Sequence, residues 1–135
     1  MAGAPVCWSL KRQPEVMRST TGTEYIALAV ASDQAIWLKS FMSEINLPLQ
    51  EPIEIRNDCT GAVAQTQNSK KLAAVKAIDM AYHAIRERVE RKTIKVTQIK
   101  SEDNVADVLT KSLGAAALRK GVSTLGLDCT DRGEC

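Results

Sequence analysis

The 135-residue chain has one histidine, and its four cysteines, at positions 7, 59, 129 and 135, form no CxxC pair. A zinc site would need more nitrogen and sulfur ligands at closer spacing. The thiols read as reduced and structural, which fits a reducing compartment better than secretion. The opening MAGAPVCWSLKRQ has no apolar core of the kind a signal peptide carries. No stretch approaches the roughly 18 apolar residues that a membrane span requires. The expected location is therefore intracellular, cytoplasmic or nuclear, with no membrane partner. The sequence contains no internal repeat and no low-complexity run. Its formal net charge is only +2, so a nucleic-acid partner would have to be held by a local patch.

What is present suits one soluble globular domain. Hydrophobic residues make up 44% of the chain and charged residues 25%, enough for a core at an ordinary surface charge. The domain is expected over residues 1–127, with 128–135 as a disordered tail. PVCWSL and EVMRS read as two short strands of an antiparallel hairpin around the polar KRQP. Thr21 and Glu24 then have the spacing of a capping box. The long helix that follows places Ile26, Val30, Trp37, Phe41 and Ile45 near one face, and it should end near Asn46, before Pro48. PIEIRND is a strand stopping at Asp58, and TGAVAQTQN is a short helix or turn. Apolar residues at 75, 78, 82, 85 and 89 alternate by three and four, which marks an amphipathic helix, though the same spacing suits a coiled coil. TIKVTQIK alternates as a strand. SEDNVADVLTKSL has helix-start chemistry with Asp103 as N-cap, and a last helix covers about Ala115 to Thr124, stopped by Gly126. Strands alternating with helices predict an α/β sandwich on a mixed sheet. Ile26, Val30, Trp37, Phe41, Ile78, Tyr82 and Ile85 are its expected core.

Three carboxylates fall where such a fold gathers ligands. Glu24 opens the long helix, Asp58 stands at the carboxyl end of a strand, and Asp107 lies near the start of a late helix. Strand ends and helix starts of open α/β folds share one rim. Carboxylates gathered there repel one another and favour hard divalent cations. Each also has a plainer reading. Glu24 closes a capping box, Asp58 forms a turn, and Asp107 complements a helix dipole.

A set of segments in order, CWSLKRQPEV, STTGTEYIAL, AIWLKSFMSEI, IEIRNDCTGAVA, KAIDMAYHAIRERVERKTIKV, IKSEDNVADVLTKSL and LRKGVSTLGL, resembles the ribonuclease H domain of copia-type retrotransposon polyproteins. The resemblance covers Val6 to Leu127. It implies a ribonuclease H-like three-layer α/β fold, with a mixed sheet flanked by helices. It also implies hydrolysis of RNA in RNA–DNA hybrids by two Mg²⁺ or Mn²⁺ ions, about 3.5–4 Å apart in two-metal sites. Glu24, Asp58 and Asp107 match the family's carboxylates as catalytic and metal-ligating residues. The reverse transcriptase portion of the parent polyprotein is the implied partner. The family's first catalytic aspartate lies on a strand before the matched region, and no acidic residue here precedes Glu15. The first central strand is therefore expected to be missing, and activity impaired. Leu72, Ala74 and Ala77 stand where the family has two histidines and an arginine, and Ser112 replaces a proline. These departures keep a second reading open, of an inactive fold acting as a nucleic-acid-binding or protein-interaction module.

Lys76, Arg86, Arg88 and Lys92 lie along the amphipathic helix and beyond it. Such a strip suits hybrid phosphates with salt-dependent affinity, and contacts to 2′-hydroxyls would favour a hybrid. The plainer reading is a solvated face interleaved with Asp79, Glu87 and Glu90. The single His83 reads as an exposed helix residue.

Overall fold

The computed structural model describes residues 5–10, 20–67 and 76–127, and the side chains of 76–79 lie outside that description. Helix α1 spans Thr20–Glu44, strand β1 Ile53–Asn57, α2 Thr60–Gln67, α3 Lys76–Glu90 and β2 Ile94–Gln98. A 3₁₀ turn at Ser101–Asp103 precedes α4, Asp107–Thr110, and α5, Ala115–Thr124. Two compact units result: Glu15–Lys100, and the chain ends Met1–Pro14 with Ser101–Cys135.

The larger unit is α/β, with helices flanking a small sheet. Strands β1 and β2 pair in parallel, Ile53 opposite Ile94 and Ile55 opposite Val96. Such a pair needs a crossover, which α2 and α3 supply. This pairing removes the all-helical coiled-coil alternative. Ile94 and Val96 are buried while Lys95 between them is exposed, as the period of two demands. Tyr25, Leu28, Ala62, Val63, Tyr82 and Ile85 complete the core against them. The Tyr25 and Tyr82 rings stack at 5.8 Å.

The expected face of α1 is not the buried one. Val30, Trp37 and Phe41 are 49%, 54% and 43% exposed, and Ile26 is half-buried. Tyr82 and Ile85 are buried as expected, whereas Ile78 lies outside the described side chains. The buried residues of α1 are Gly22, Tyr25, Leu28, Ser32 and Met42, with Ala29 and Ile36 packed against the core. Apolar residues run nearly round α1, so periodicity alone cannot choose a face. Small residues at 22, 29 and 32 decide it, because they allow close approach of neighbouring helices. Arg88 of α3 reaches Ser32 Oγ and pairs with Asp33 at 2.6 Å.

Two other expectations change. Residues 5–10 form no strand, and Val6, Trp8 and Leu10 are exposed. A strand exists only where its backbone is paired, and the intended hairpin partner lies outside the described residues. The described sheet is the parallel pair β1–β2, the part of the expected sheet that follows the opening hairpin. Asp103 belongs to the 3₁₀ turn and caps nothing; α4 starts after Ala106 without a side-chain cap.

Three helices end alike. After α1, Leu47 N–H donates to Met42 O at 2.9 Å and Asn46 N–H to Ser43 O at 3.1 Å. The same pair of bonds follows α3 at Thr93 and Lys92, and α5 at Leu127 and Gly126. The turning residues Asn46, Lys92 and Gly126 have φ of 59°, 56° and 63°. These are Schellman closures, and Lys92 occupies the left-handed position at a cost glycine avoids.

Candidate functional site

Helix α1 begins at Thr20, so Thr21 lies inside its first turn and Glu24 begins the second. The Thr21–Glu24 capping box is therefore not formed, since its threonine would have to precede the helix. Glu24 is half-buried. One turn earlier, Thr21 crosses α2 so closely that a Cβ on Gly61 would stand 3.0 Å from its Oγ1. The start of α1 thus rests on the start of α2.

Asp58 is half-buried at the carboxyl end of β1. The chain turns there because Asn57 Oδ1 accepts from Cys59 N–H at 2.7 Å. Cys59 O then accepts from Val63 N–H, so α2 follows the strand directly. Gln98 at the end of β2 donates to Thr60 Oγ1 at 2.8 Å, tying the second strand end to the same helix start. Asp58 therefore lies in the junction just before α2, whose start packs against the start of α1, one turn ahead of Glu24.

Asp107, in the other unit, has its own partners. Its side chain is only 15% exposed, and Lys111 Nζ meets Oδ2 at 2.7 Å. Asn104 Nδ2 lies 3.4 Å from Oδ1. The i, i+4 spacing within DVLTK is the sequence signal for this pair, and the sequence reading passed over it. Among the described residues, no three His, Cys, Asp or Glu side chains form a group able to hold a metal ion.

Of the basic strip, Arg86 pairs with Glu90 at 2.9 Å, and Arg91 with Glu87 at 2.7 Å. The hydrogen bond from Arg86 to Glu90 is the main reason its pKa is raised. Arg88 turns inward to Asp33 and Ser32, so it serves the packing of α1 on α3. Lys92 is exposed on its turn, and the side chain of Lys76 lies outside the description. His83 is exposed and meets Tyr82 edge-on at 5.9 Å. On the outer face of the sheet, Thr97 Oγ1 and then Arg56 donate to Glu54, which lowers its pKa. The buried Tyr25 hydroxyl has no hydrogen-bond partner among the described residues. Its pKa is pushed up to about 12, first by burial, then by Tyr82, against the pull of Arg86.

The chain is 39% identical over 110 residues to the retrovirus-related Pol polyprotein from transposon TNT 1-94 of Nicotiana tabacum, covering 82% of this chain. It is 33% and 32% identical over 123 residues to those from transposons RE1 and RE2 of Arabidopsis thaliana, covering 91% of this chain. Its relatives are plant retrotransposon Pol polyproteins. The matched region spans 8% of the length of each of these relatives. No family model and no solved structure matches the chain. No described helix is long and apolar enough to cross a membrane.

Proposed function

We propose that this chain is the ribonuclease H-like segment of a copia-type retroelement Pol polyprotein, acting on RNA–DNA hybrids. The observation that carries the reading is the similarity to Pol polyproteins over most of the chain. The strand–Asp58–helix junction, with the start of α1 lying against α2, is compatible with it. In this reading Glu24, Asp58 and Asp107 are the carboxylates for Mg²⁺ or Mn²⁺, and Arg86, Lys92 and Lys76 contact hybrid phosphates. Arg88 belongs to the same proposed strip only if it exchanges its internal partners for a phosphate. The reverse transcriptase portion of the polyprotein would make the hybrid on which the segment acts.

Leu72, Ala74 and Ala77, in place of the family's histidines and arginine, favour impaired hydrolysis, and its companion reading as a hybrid-binding module without catalysis. The test is incubation of the chain with a labelled RNA–DNA hybrid and Mg²⁺ or Mn²⁺, with binding and cleavage read separately. Binding that weakens with salt, with little or no cleavage, is the expected result. Strong metal-dependent cleavage abolished by Asp58→Asn would overturn the impaired reading. Absence of both binding and cleavage would remove the nucleic-acid function from the chain.

A further inference from the structure

The carboxylate of Asp107 is engaged at both oxygens from within its own unit. Lys111 Nζ lies 2.7 Å from Oδ2, and the Asn104 amide approaches Oδ1 at 3.4 Å. The backbone repeats the connection. Lys111 N–H donates to Asp107 O at 2.9 Å, and Asp107 N–H donates to Asn104 O at 3.1 Å. The Asn104 side chain also accepts from Ala106 N–H at 3.2 Å. Lys111 thus closes the four-residue α4 twice, once through its amide and once through its ammonium. With the acid N-terminal to the base at i, i+4, the pair runs in the favourable direction along the helix dipole.

We infer that Lys111 is the resident cation of Asp107, filling the place a divalent ion would take, so that a metal reaches this carboxylate only by displacing the lysine. The inference rests on the ribonuclease H-like reading only in taking Asp107 as one of the family's carboxylates. Two observations carry it. Asp107 is mostly withdrawn from water, so its charge requires a partner. A full positive charge is in direct contact with it. An ammonium on the same turn costs no second molecule to recruit, whereas a divalent ion needs six or more oxygens.

The experiment uses the full 135-residue chain without nucleic acid. Mn²⁺ is added, and paramagnetic broadening of the amides of Asn104, Asp107 and Lys111 is followed by NMR. Thermal unfolding is recorded in Mg²⁺ and in EDTA. The wild-type chain should show no broadening centred on Asp107 and the same midpoint in both solutions. Lys111→Met should gain Mn²⁺ broadening at Asp107 and a higher midpoint in Mg²⁺ than in EDTA. Lys111→Arg should keep the wild-type behaviour, and Asp107→Asn with Lys111→Met should lose the gain. Wild-type broadening centred on Asp107 would overturn the inference without requiring any variant to fold. So would a folded Lys111→Met chain that ignores both ions. Hybrid binding is measured separately, so loss of the proposed function and loss of this inference give different results.

Discussion

The unit Glu15–Lys100 and the C-terminal residues 101–127 of the other unit hold themselves together by different means. In the first, Tyr25, Ala62, Ile85 and Ile94 come from four different elements and pack as one apolar cluster. Complete burial of a side chain such as Ile85 contributes about 1.5–3 kcal/mol. In residues 101–127 only Gly121 is buried. Near neighbours are joined there by charge: Lys111 to Asp107 at 2.7 Å and Lys120 to Asp103 at 3.1 Å. The exposed Lys120–Asp103 pair contributes about 0–1 kcal/mol, while in the other an exposed lysine meets a half-buried carboxylate. A cavity should therefore injure the first region most. The second should be injured where Gly121 of α5 stands against Val108 of α4.

The largest effect is expected from Ile85→Ala. A fully buried isoleucine cut to alanine costs about 2–5 kcal/mol. Urea denaturation should show that loss, with amide exchange rising in α3, β1 and β2. A loss below about 1 kcal/mol would mean that the cluster is not the seat of stability. Next comes Gly121→Ala. Its new Cβ would fall on Val108 Cγ1, and such overpacking costs about 1–3 kcal/mol. Amide exchange in α5 should rise, and Val108→Ala in the same chain should restore part of the protection. Unchanged exchange would blur the contrast between the two regions.

Tyr25→Phe sharpens the picture of the larger unit. Its unpartnered hydroxyl is costly to bury, so the variant should be as stable as the parent or up to about 1 kcal/mol more stable near neutral pH. The pH dependence has a definite sign. Because the folded pKa of about 12 lies above the ordinary 10.0, the folded state holds its proton more tightly than the unfolded chain. The contribution is complete below pH 10 and is lost as pH climbs toward 12. Chemical denaturation across that window should show a decline in the parent that is shallower in Tyr25→Phe. The smallest effect is expected from Lys92→Gly, which relieves the left-handed position by about 0.5–1 kcal/mol. If Lys92 contacts hybrid phosphates, the same variant gains stability while losing hybrid affinity and part of its salt dependence.

Much of the local structure was legible before folding. β2 alternates in TIKVTQIK, and burial follows that alternation at Ile94, Lys95 and Val96 before it fades at Thr97 and Gln98. The last helix runs from Ala115 to Thr124 and is closed by Gly126 at φ 63°, as its composition indicates. The strand ending before Asp58 and the short helix after it are both in place. Less was legible at the candidate site. Spacing marked Glu24, Asp58 and Asp107 separately, but no period in the chain states which side chains meet. Arg88 resembled its basic neighbours in sequence and became an internal partner of Asp33, 55 positions earlier only because α1 and α3 cross there.

Elements whose causes lie within a turn or two follow from the order of residues alone. These are the alternation of β2, the 3–4 spacing behind α3, the closure at Gly126 and the Asp107–Lys111 pair at i, i+4. Which face of α1 is buried follows instead from packing between elements. The helix offers apolar residues on several sides, and the choice went to the side where Gly22, Ala29 and Ser32 let neighbouring helices approach. Burial energy scales with the area two surfaces remove from water together, so it belongs to a pair of surfaces and cannot be read from one of them.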